Sequence, residues 1–139
     1  NLWDWVWIKL SENFIRGDDK LKLRENYTCP LELVHDIVKG KWKTIIIFQL
    51  RNGICSFSEL HHSIVGITQK MLLEQLHELK DFGLIDKITY DGYPLKVEYF
   101  LTKRGEKMLS AIKIMQEIGI DYMVEHGMTE ILDEKGICY

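Results

Sequence analysis

Polar side chains with hydrogen-bonding groups are concentrated between residues 68 and 77, where Leu72, Leu76 and Leu79 recur at helical spacing. The polar side chains that lie off this leucine face are Thr68, Gln69, Lys70, Glu74 and His77. Amide and charged side chains on one face of a helix can pair with base edges in a DNA groove. These residues are therefore candidates for reading bases; a solvated helix face without a binding role is the other interpretation, which periodicity alone favours.

Two lysines outside this stretch have the chemistry of phosphate contacts. Lys96 follows the turn formers Gly92 and Pro94, which would place it near the tip of a hairpin. Lys43 lies in a stretch that lacks acidic residues and contains three further basic ones: Lys39, Lys41 and Arg51. Because the chain has a formal net charge of −3, any surface that attracts nucleic acid must be local.

The cysteines Cys29, Cys55 and Cys138 are too widely spaced for a disulfide framework or a zinc motif, and we expect reduced thiols. Cys29 precedes Pro30, which is favourable at the first position of a helix, so Cys29 is the predicted N-cap residue. Since a helix N-terminus stabilises negative charge, Cys29 is predicted to be the most reactive cysteine. A buried capping residue is the other interpretation.

Other classes of function lack their sequence signatures. The adjacent His61 and His62 would point about 100° apart on a helix, without a cluster to complete a site, so neither metal nor cofactor is predicted. The sequence contains no nucleophile elbow and no phosphate loop that would indicate an enzyme. Apolar runs such as residues 45–48 are far shorter than the roughly 20 residues of a membrane span. The first residues do not have the pattern of a secretory signal, and we expect a cytoplasmic protein.

Helical periodicity dominates residues 30–83. Helices are predicted over residues 31–38, from Trp42 to about Asn52, over a stretch ending at Ile64, and after a tight turn at residues 65–67. The short segment "ICSF" is a strand candidate. The third helix begins either at Ser56, with Glu59 in capping-box spacing, or at Ser58.

After residue 83 the period of apolar residues changes from about 3.6 to 2. "LIDKITY" and "VEYFLT" are rich in β-branched and aromatic residues and flank turn formers, which predicts a β-hairpin. Thr102 is predicted to cap a long helix. The apolar stripe of this helix comprises Met108, Ile112, Met115, Ile118, Tyr122 and Met123. Leu109, Ile120 and Val124 fall off the stripe, and apolar residues on two sides predict a second neighbour for this helix.

The N-terminal residues 1–15 read as an amphipathic helix, followed by a polar linker that contains Gly17. Its stripe consists of Trp3, Val6, Trp7, Leu10 and Phe14. We predict an N-terminal helix and linker over residues 1–26, a compact domain with a C-terminal helix over 27–127, and a tail over 128–139. The stripe and the two-sided last helix together predict a homodimer.

The predicted order is helix, helix, short strand, helix, turn, helix, hairpin and long helix. This is the order of a winged helix-turn-helix domain, in which the helix after the turn enters the major groove of DNA and the hairpin, or wing, lies beside it. The predicted fold class is therefore mainly α with a small β-hairpin (α+β), with additional N- and C-terminal dimerisation helices.

Three segments, "CPLELVHDIVKGKW", "FSELHHSIVGITQKMLLEQLHELKDFGLI" and "YPLKVEYFLTKRG", resemble the HxlR-type branch of the MarR-like transcriptional regulators. The most specific markers are Cys29-Pro30, Gly40-Lys41-Trp42, Phe57 with Glu59-Leu60, Gly83-Leu84-Ile85, and Val97-Glu98-Tyr99 followed by Leu101-Thr102 and Gly105. The resemblance covers Cys29 to about Tyr122. It implies a dimeric regulator that binds double-stranded DNA sequence-specifically. Several similar proteins sense oxidants or electrophiles with a cysteine at the matching Cys-Pro position, and the resemblance therefore implies Cys29 as a candidate redox sensor.

Three positions depart from the family pattern. Ser56 and Lys87 stand where the family commonly has arginine, and Pro94-Leu95 replaces paired prolines. Ser56 therefore puts one expected phosphate contact in doubt. A protein-interaction adaptor without DNA binding is the alternative function, because winged helices also serve as docking modules and the net charge is negative. The sequence does not indicate which small-molecule effector, if any, the protein binds.

Overall fold

The computed structural model describes residues 23–139, so the predicted amphipathic helix of residues 1–15 lies outside the described residues. The described part contains six α-helices and three strands. The helices are α1 Pro30–Val38, α2 Lys43–Gln49, α3 Phe57–Ser63, α4 Gln69–Asp81, α5 Lys103–Glu125 and α6 Glu130–Glu134. The strands are β1 Cys55–Ser56, β2 Ile85–Tyr90 and β3 Lys96–Leu101. A 3₁₀ turn over Leu50–Asn52 continues α2.

The strands form one antiparallel sheet in the order β1-β3-β2. The β2–β3 hairpin pairs Ile85 with Leu101 at its base and Tyr90 with Lys96 next to its loop. Short β1 pairs with the outer edge of β3, where Cys55 lies opposite Tyr99. This arrangement confirms the predicted hairpin and the predicted winged helix-turn-helix fold.

The core lies where α2, α3 and α4 meet the inner face of the sheet. Leu72, Leu76 and Leu79 of α4 are at most 1% exposed, which confirms the predicted buried face of this helix. Val97 and Tyr99, two residues apart on β3, point into the same core because alternate residues of a strand share a face. Burial of each large apolar side chain contributes roughly 1.5–3 kcal/mol, so this core fixes the position of α4.

Side-chain caps define where several helices begin. Ser56 caps α3 in a full capping box, since its hydroxyl accepts from the Glu59 amide at 3.2 Å and the Glu59 carboxylate accepts from the Ser56 amide at 3.1 Å. This contact decides between the two predicted start points. Thr68 and Thr102 cap α4 and α5 with a single side-chain bond, each accepting from the amide three residues ahead. Satisfied amide groups at these ends fix each helix's first turn.

The long helix α5 divides its apolar residues between two surfaces. Leu109 and Ile112 are buried in the core, whereas Met115, Ile118 and Tyr122 are more than half exposed. The predicted stripe therefore contains a buried residue, Ile112, as well as exposed ones, and Leu109, which was predicted to lie off the stripe, is buried in the core. The helix extends beyond the core, so only its first turns contact it, and Ile114, Met115, Ile118 and Tyr122 remain exposed.

Residues 128–139, predicted to be a tail, contain the short helix α6 with Leu132 buried at 2% exposure. Within residues 23–139, no helix combines the length and the apolar character that a membrane span requires.

Candidate nucleic-acid interface

The helix-turn-helix unit consists of α3, a turn at residues 64–67, and α4. Ile64 and Ile67 are buried at 4% and 6% exposure and attach the two ends of the turn to the core. Gly66 between them has a φ of +88°, a conformation that side-chain-bearing residues rarely adopt. The Thr68 hydroxyl then accepts from the Met71 amide at 3.1 Å and starts α4. The turn therefore holds the N-terminus of α4 in a defined position.

The structure places three of the five predicted base-reading residues, Lys70, Glu74 and His77, on the side of α4 opposite the buried leucines. Lys70 is exposed, and Glu74 and His77 are half-buried, at positions four and seven residues further along the helix. Thr68 is exposed and Gln69 is half-buried at the N-terminal end. Residues spaced by four and three lie on one face of a helix, so Lys70, Glu74 and His77 form one polar stripe.

The hairpin loop presents Lys96 next to its tip. The Lys96 side chain is 60% exposed, and its Nζ lies 4.0 Å from the Glu98 carboxylate. The same Nζ lies 5.5 Å from the centroid of the Tyr90 ring, its cross-strand partner. A hydrogen bond with Glu98 raises the pKa of Tyr90, because the neutral phenol is the donor to that carboxylate. Glu98 and Tyr90 thus restrict the position of the Lys96 side chain, while its exposed ammonium can still contact an anion.

Polar contacts connect the end of α4 to the hairpin and to α5. The Thr102 hydroxyl donates to the Gly83 carbonyl at 2.5 Å, and the Thr102 amide donates to the Leu84 carbonyl at 3.1 Å. The Arg104 guanidinium donates to the Phe82 carbonyl at 2.8 Å, where its positive charge also suits the C-terminus of a helix. These contacts set the angle between α4 and the hairpin.

Lys43 is placed differently from the sequence-based expectation. Its side chain is 5% exposed, and its Nζ forms an ion pair with the Glu78 carboxylate of α4 at 2.5 Å. A buried ammonium already paired with a carboxylate is not presented to a phosphate, so Lys43 is not part of the outward surface. It connects α2 to the recognition-helix candidate α4 instead.

Cys29 is exposed at the N-cap of α1, with Pro30 at the start of the helix. Its side chain makes no capping hydrogen bond, so the interpretation of Cys29 as a buried capping residue was wrong. Cys138 is exposed as well, whereas Cys55 is half-buried. Burial raises the pKa of the Cys55 thiol, and the nearby Glu59 and Glu98 carboxylates raise it further by a smaller amount. Cys29 and Cys138 are therefore the accessible thiols.

The chain that leads into Cys29 is attached to α1 by a polar cluster. The Asp36 carboxylate accepts from the Arg24 guanidinium at 2.8 Å and from the Tyr27 hydroxyl at 2.9 Å. These hydrogen bonds hold the pKa of Asp36 below its ordinary value of 3.8, and the bond from Arg24 has the largest effect. Glu32 accepts from both the amide and the hydroxyl of Thr28 at 2.8 Å, and these bonds lower its pKa too.

No group of His, Cys, Asp or Glu within residues 23–139 is arranged to hold a metal ion. Sequence reasoning missed Glu78 as the partner of Lys43. The only signal for it was its position on the side of α4 between the leucines and the polar stripe.

The family model described as HxlR-like helix-turn-helix matches residues 37–127, which contain the whole unit from α2 to α5. The chain belongs to the HxlR-like helix-turn-helix family. This chain is accordingly a transcriptional regulator of the helix-turn-helix type, and the resemblance to HxlR-type regulators is confirmed.

Relatives and solved structures place this HxlR-like chain among regulators of the same type. An HTH-type transcriptional regulator of Methanothermobacter thermautotrophicus is 36% identical over 106 residues, which are 76% of each chain. A MarR-family transcriptional regulator from Porphyromonas gingivalis W83 has a TM-score of 0.65 and 38% identity over 71% of this chain and 97% of that chain. The redox regulator HypR in its oxidized form has a TM-score of 0.63 and 36% identity over 67% and 96% of the two chains.

Proposed function

We propose that this chain is a homodimeric regulator that binds double-stranded DNA sequence-specifically, with α4 in the major groove and the β2–β3 hairpin beside it. The observation that carries the proposal is the division of α4 into two sides. Its leucines are in the core, while Lys70, Glu74 and His77 form a polar stripe on the other side. In helix-turn-helix proteins, the helix after the turn presents such residues to base edges.

Five residues of the predicted DNA-binding surface have a chemistry that fits a place on DNA. Gln69 and Lys70, at the N-terminal end of α4, suit adenine and guanine edges respectively, and Glu74 can accept from the amino group of cytosine. The Thr68 oxygen accepts from the Met71 amide, which leaves its hydroxyl hydrogen for a phosphate. Lys96 is the hairpin's phosphate contact, since its exposed ammonium requires charge but no particular base.

The test begins with binding-site selection from random duplexes, using the purified protein. Fluorescence anisotropy on the selected duplex then compares Lys70→Ala and Lys96→Ala, with Lys80→Ala as the control. Lys80 is exposed at the other end of α4, away from the predicted reading end. Loss of Lys96 should lower the slope of log K against log salt by about 0.9 for each subunit without changing sequence preference. Lys70→Ala should relax preference at one position.

If no sequence is selected, or if both variants bind as the wild type does, α4 is not the recognition helix and the hairpin does not contact phosphate. Absence of binding to DNA and to heparin would favour the adaptor alternative.

The homodimer is supported by the uncovered side of α5. Ile114, Met115, Ile118 and Tyr122 are each 56–63% exposed and recur at spacings of three and four residues. Apolar residues repeated in this way on an exposed helix are typical of a surface that packs against another helix. A second copy of α5 offers the same surface, so a two-fold pairing covers both stripes at once.

Ile118→Glu tests this pairing because it places a charge in the centre of the stripe. Light scattering at micromolar concentration should give a dimer mass for the wild type and a monomer mass for Ile118→Glu. Lys113→Glu, which adds the same side chain on another face of α5, should remain dimeric. A monomeric wild type would contradict the proposal.

We further infer that oxidants act on this regulator through Cys29. The thiol is exposed, and the chain before it is attached to α1 through Tyr27 and Asp36, so that a bond made at Cys29 would move α1 with it. The similarity to HypR, a redox regulator, supports this inference. In the reaction, two thiols lose two electrons and two protons to diamide, which becomes a hydrazine, and one disulfide forms.

The test compares wild type, Cys29→Ser and Cys138→Ser before and after mild diamide treatment. DNA affinity and mass under non-reducing conditions are the two measurements. A change in the wild type that Cys29→Ser lacks supports sensing, and an identical response in both contradicts it. If Cys138→Ser also loses the response, Cys138 supplies the second thiol; if it keeps the response, the partner's Cys29 does.

A further inference from the structure

Trp42 connects the loop before α2 to the turn of the helix-turn-helix unit. The edge of its indole, at Cη2, lies 3.9 Å from the position that a Cβ on Gly66 would occupy. Gly66 is two residues before Thr68, the cap of α4. The indole ring is half-buried against the core, so it has a defined position next to the N-terminal end of α4.

Lys41 is exposed and lies over this indole. Its Nζ is 4.4 Å from the ring centroid, within the range of a cation–π contact. The ring holds the ammonium beside the turn without consuming its capacity to donate hydrogen bonds to an anion. Lys41 thereby differs from Lys43, whose ammonium is buried against Glu78.

The chain segment around Lys41 is basic. The chain from Ile37 to Ser58 contains no Asp or Glu, while Lys39 and Arg51 within it are exposed. When a recognition helix enters the major groove with its N-terminal end, the residues flanking that end lie beside the phosphates at the groove's edge. Backbone contacts of this kind fix the orientation of the protein on the duplex and carry no sequence information.

We propose that Lys41, held on the Trp42 ring beside the turn, contacts a DNA phosphate and positions the N-terminal end of α4 in the groove. The proposal rests on the proposed function, since it requires α4 to be the recognition helix. It also moves the phosphate contact expected at Lys43 to the lysine two residues earlier. Lys41 acts with Lys96, so that backbone contacts lie at the turn and at the hairpin, on two sides of the reading stripe.

The test measures affinity for the selected duplex at a series of salt concentrations. Lys41→Ala should lower the slope of log K against log salt by about 0.9 for each subunit, and sequence preference should not change. When the salt concentration rises from about 50 mM to about 200 mM, the affinity of the variant should therefore fall by a factor about 3.5-fold smaller than that of the wild type for each contact removed. Lys41→Arg should retain the wild-type slope because it keeps the charge. Lys135→Ala, an exposed lysine outside these DNA-facing elements, is the matched control.

The possible results separate this inference from the proposed function. If Lys96→Ala changes the slope and Lys41→Ala does not, Lys41 only packs on Trp42 and this inference alone is overturned. If Lys41→Ala alters sequence preference, it reads a base and the phosphate role is wrong. If the wild type selects no sequence, both the proposed function and this inference are overturned. Thermal unfolding of Lys41→Ala shows whether a lost interaction reflects a damaged fold.

Discussion

The Lys43–Glu78 ion pair gives the sharpest quantitative prediction, because its two ends are unequally buried. The Lys43 side chain is 5% exposed and that of Glu78 is 27% exposed, with 2.5 Å between the charged atoms. At this separation the attraction is about 2 kcal/mol in a water-like medium and about 7 kcal/mol at an effective dielectric constant near 20. The cost of removing both charges from water offsets much of it.

Removal of one partner should therefore have an effect that depends on which partner remains. Glu78→Gln leaves a buried ammonium without its counter-charge and should lower the free energy of unfolding by about 2–4 kcal/mol. Lys43→Met fills the same space without a charge and leaves a carboxylate that reaches water, so its effect should stay within about 1 kcal/mol. The double variant Lys43→Met/Glu78→Gln should resemble Lys43→Met.

Urea unfolding followed by circular dichroism, at one fixed protein concentration, measures these free energies. Equal losses for Glu78→Gln and Lys43→Met, or no loss for Glu78→Gln, would refute the reasoning. A second measurement addresses the sequence-based expectation for Lys43. If Lys43→Met keeps its stability but lowers the salt slope of DNA binding by about 0.9 for each subunit, Lys43 contacts phosphate after all.

Gly105→Ala should lower the free energy of unfolding by about 2–3 kcal/mol, because the added Cβ would lie 1.9 Å from the Leu84 carbonyl oxygen of the backbone. In the monomeric Ile118→Glu background, Gly119→Ala should instead gain about 0.5–1 kcal/mol of helix propensity, because its added Cβ would meet no atom of another element of the chain within 4 Å, and a loss of equal size in both would contradict the steric explanation. Arg24 lowers the pKa of Asp36 from its ordinary value of 3.8, so that the carboxylate contributes stability above that value and loses it as pH falls through the folded-state pKa. The measurement is the urea midpoint of wild type and of Asp36→Asn at about pH 7, 5 and 3. Wild type should be more stable than Asp36→Asn at the two higher pH values, and the difference should shrink at the lowest. A difference that stays constant with pH would exclude a charged Asp36 as its cause.

Local signals in the sequence were sufficient for the order of elements. The leucine spacing of α4, the capping position of Thr102 and the change of period after residue 83 each depend on neighbours in the chain, which is why they were predicted correctly. The polar stripe of Lys70, Glu74 and His77 followed from the same periodicity, because a helix with one face in the core must present the opposite face elsewhere.

Only the tertiary structure decided which charged and apolar residues are exposed to solvent. Lys43 and Lys41 are two residues apart in one basic stretch, but only the approach of Glu78 from α4 buries the first, while the Trp42 ring beside Gly66 holds the second at the surface. Likewise, the periodicity of α5 placed Leu109 and Ile118 on different sides of the helix but did not show which of them contacts the core. Burial depends on elements distant in the chain, and a pattern along one helix contains no information about which neighbour covers it.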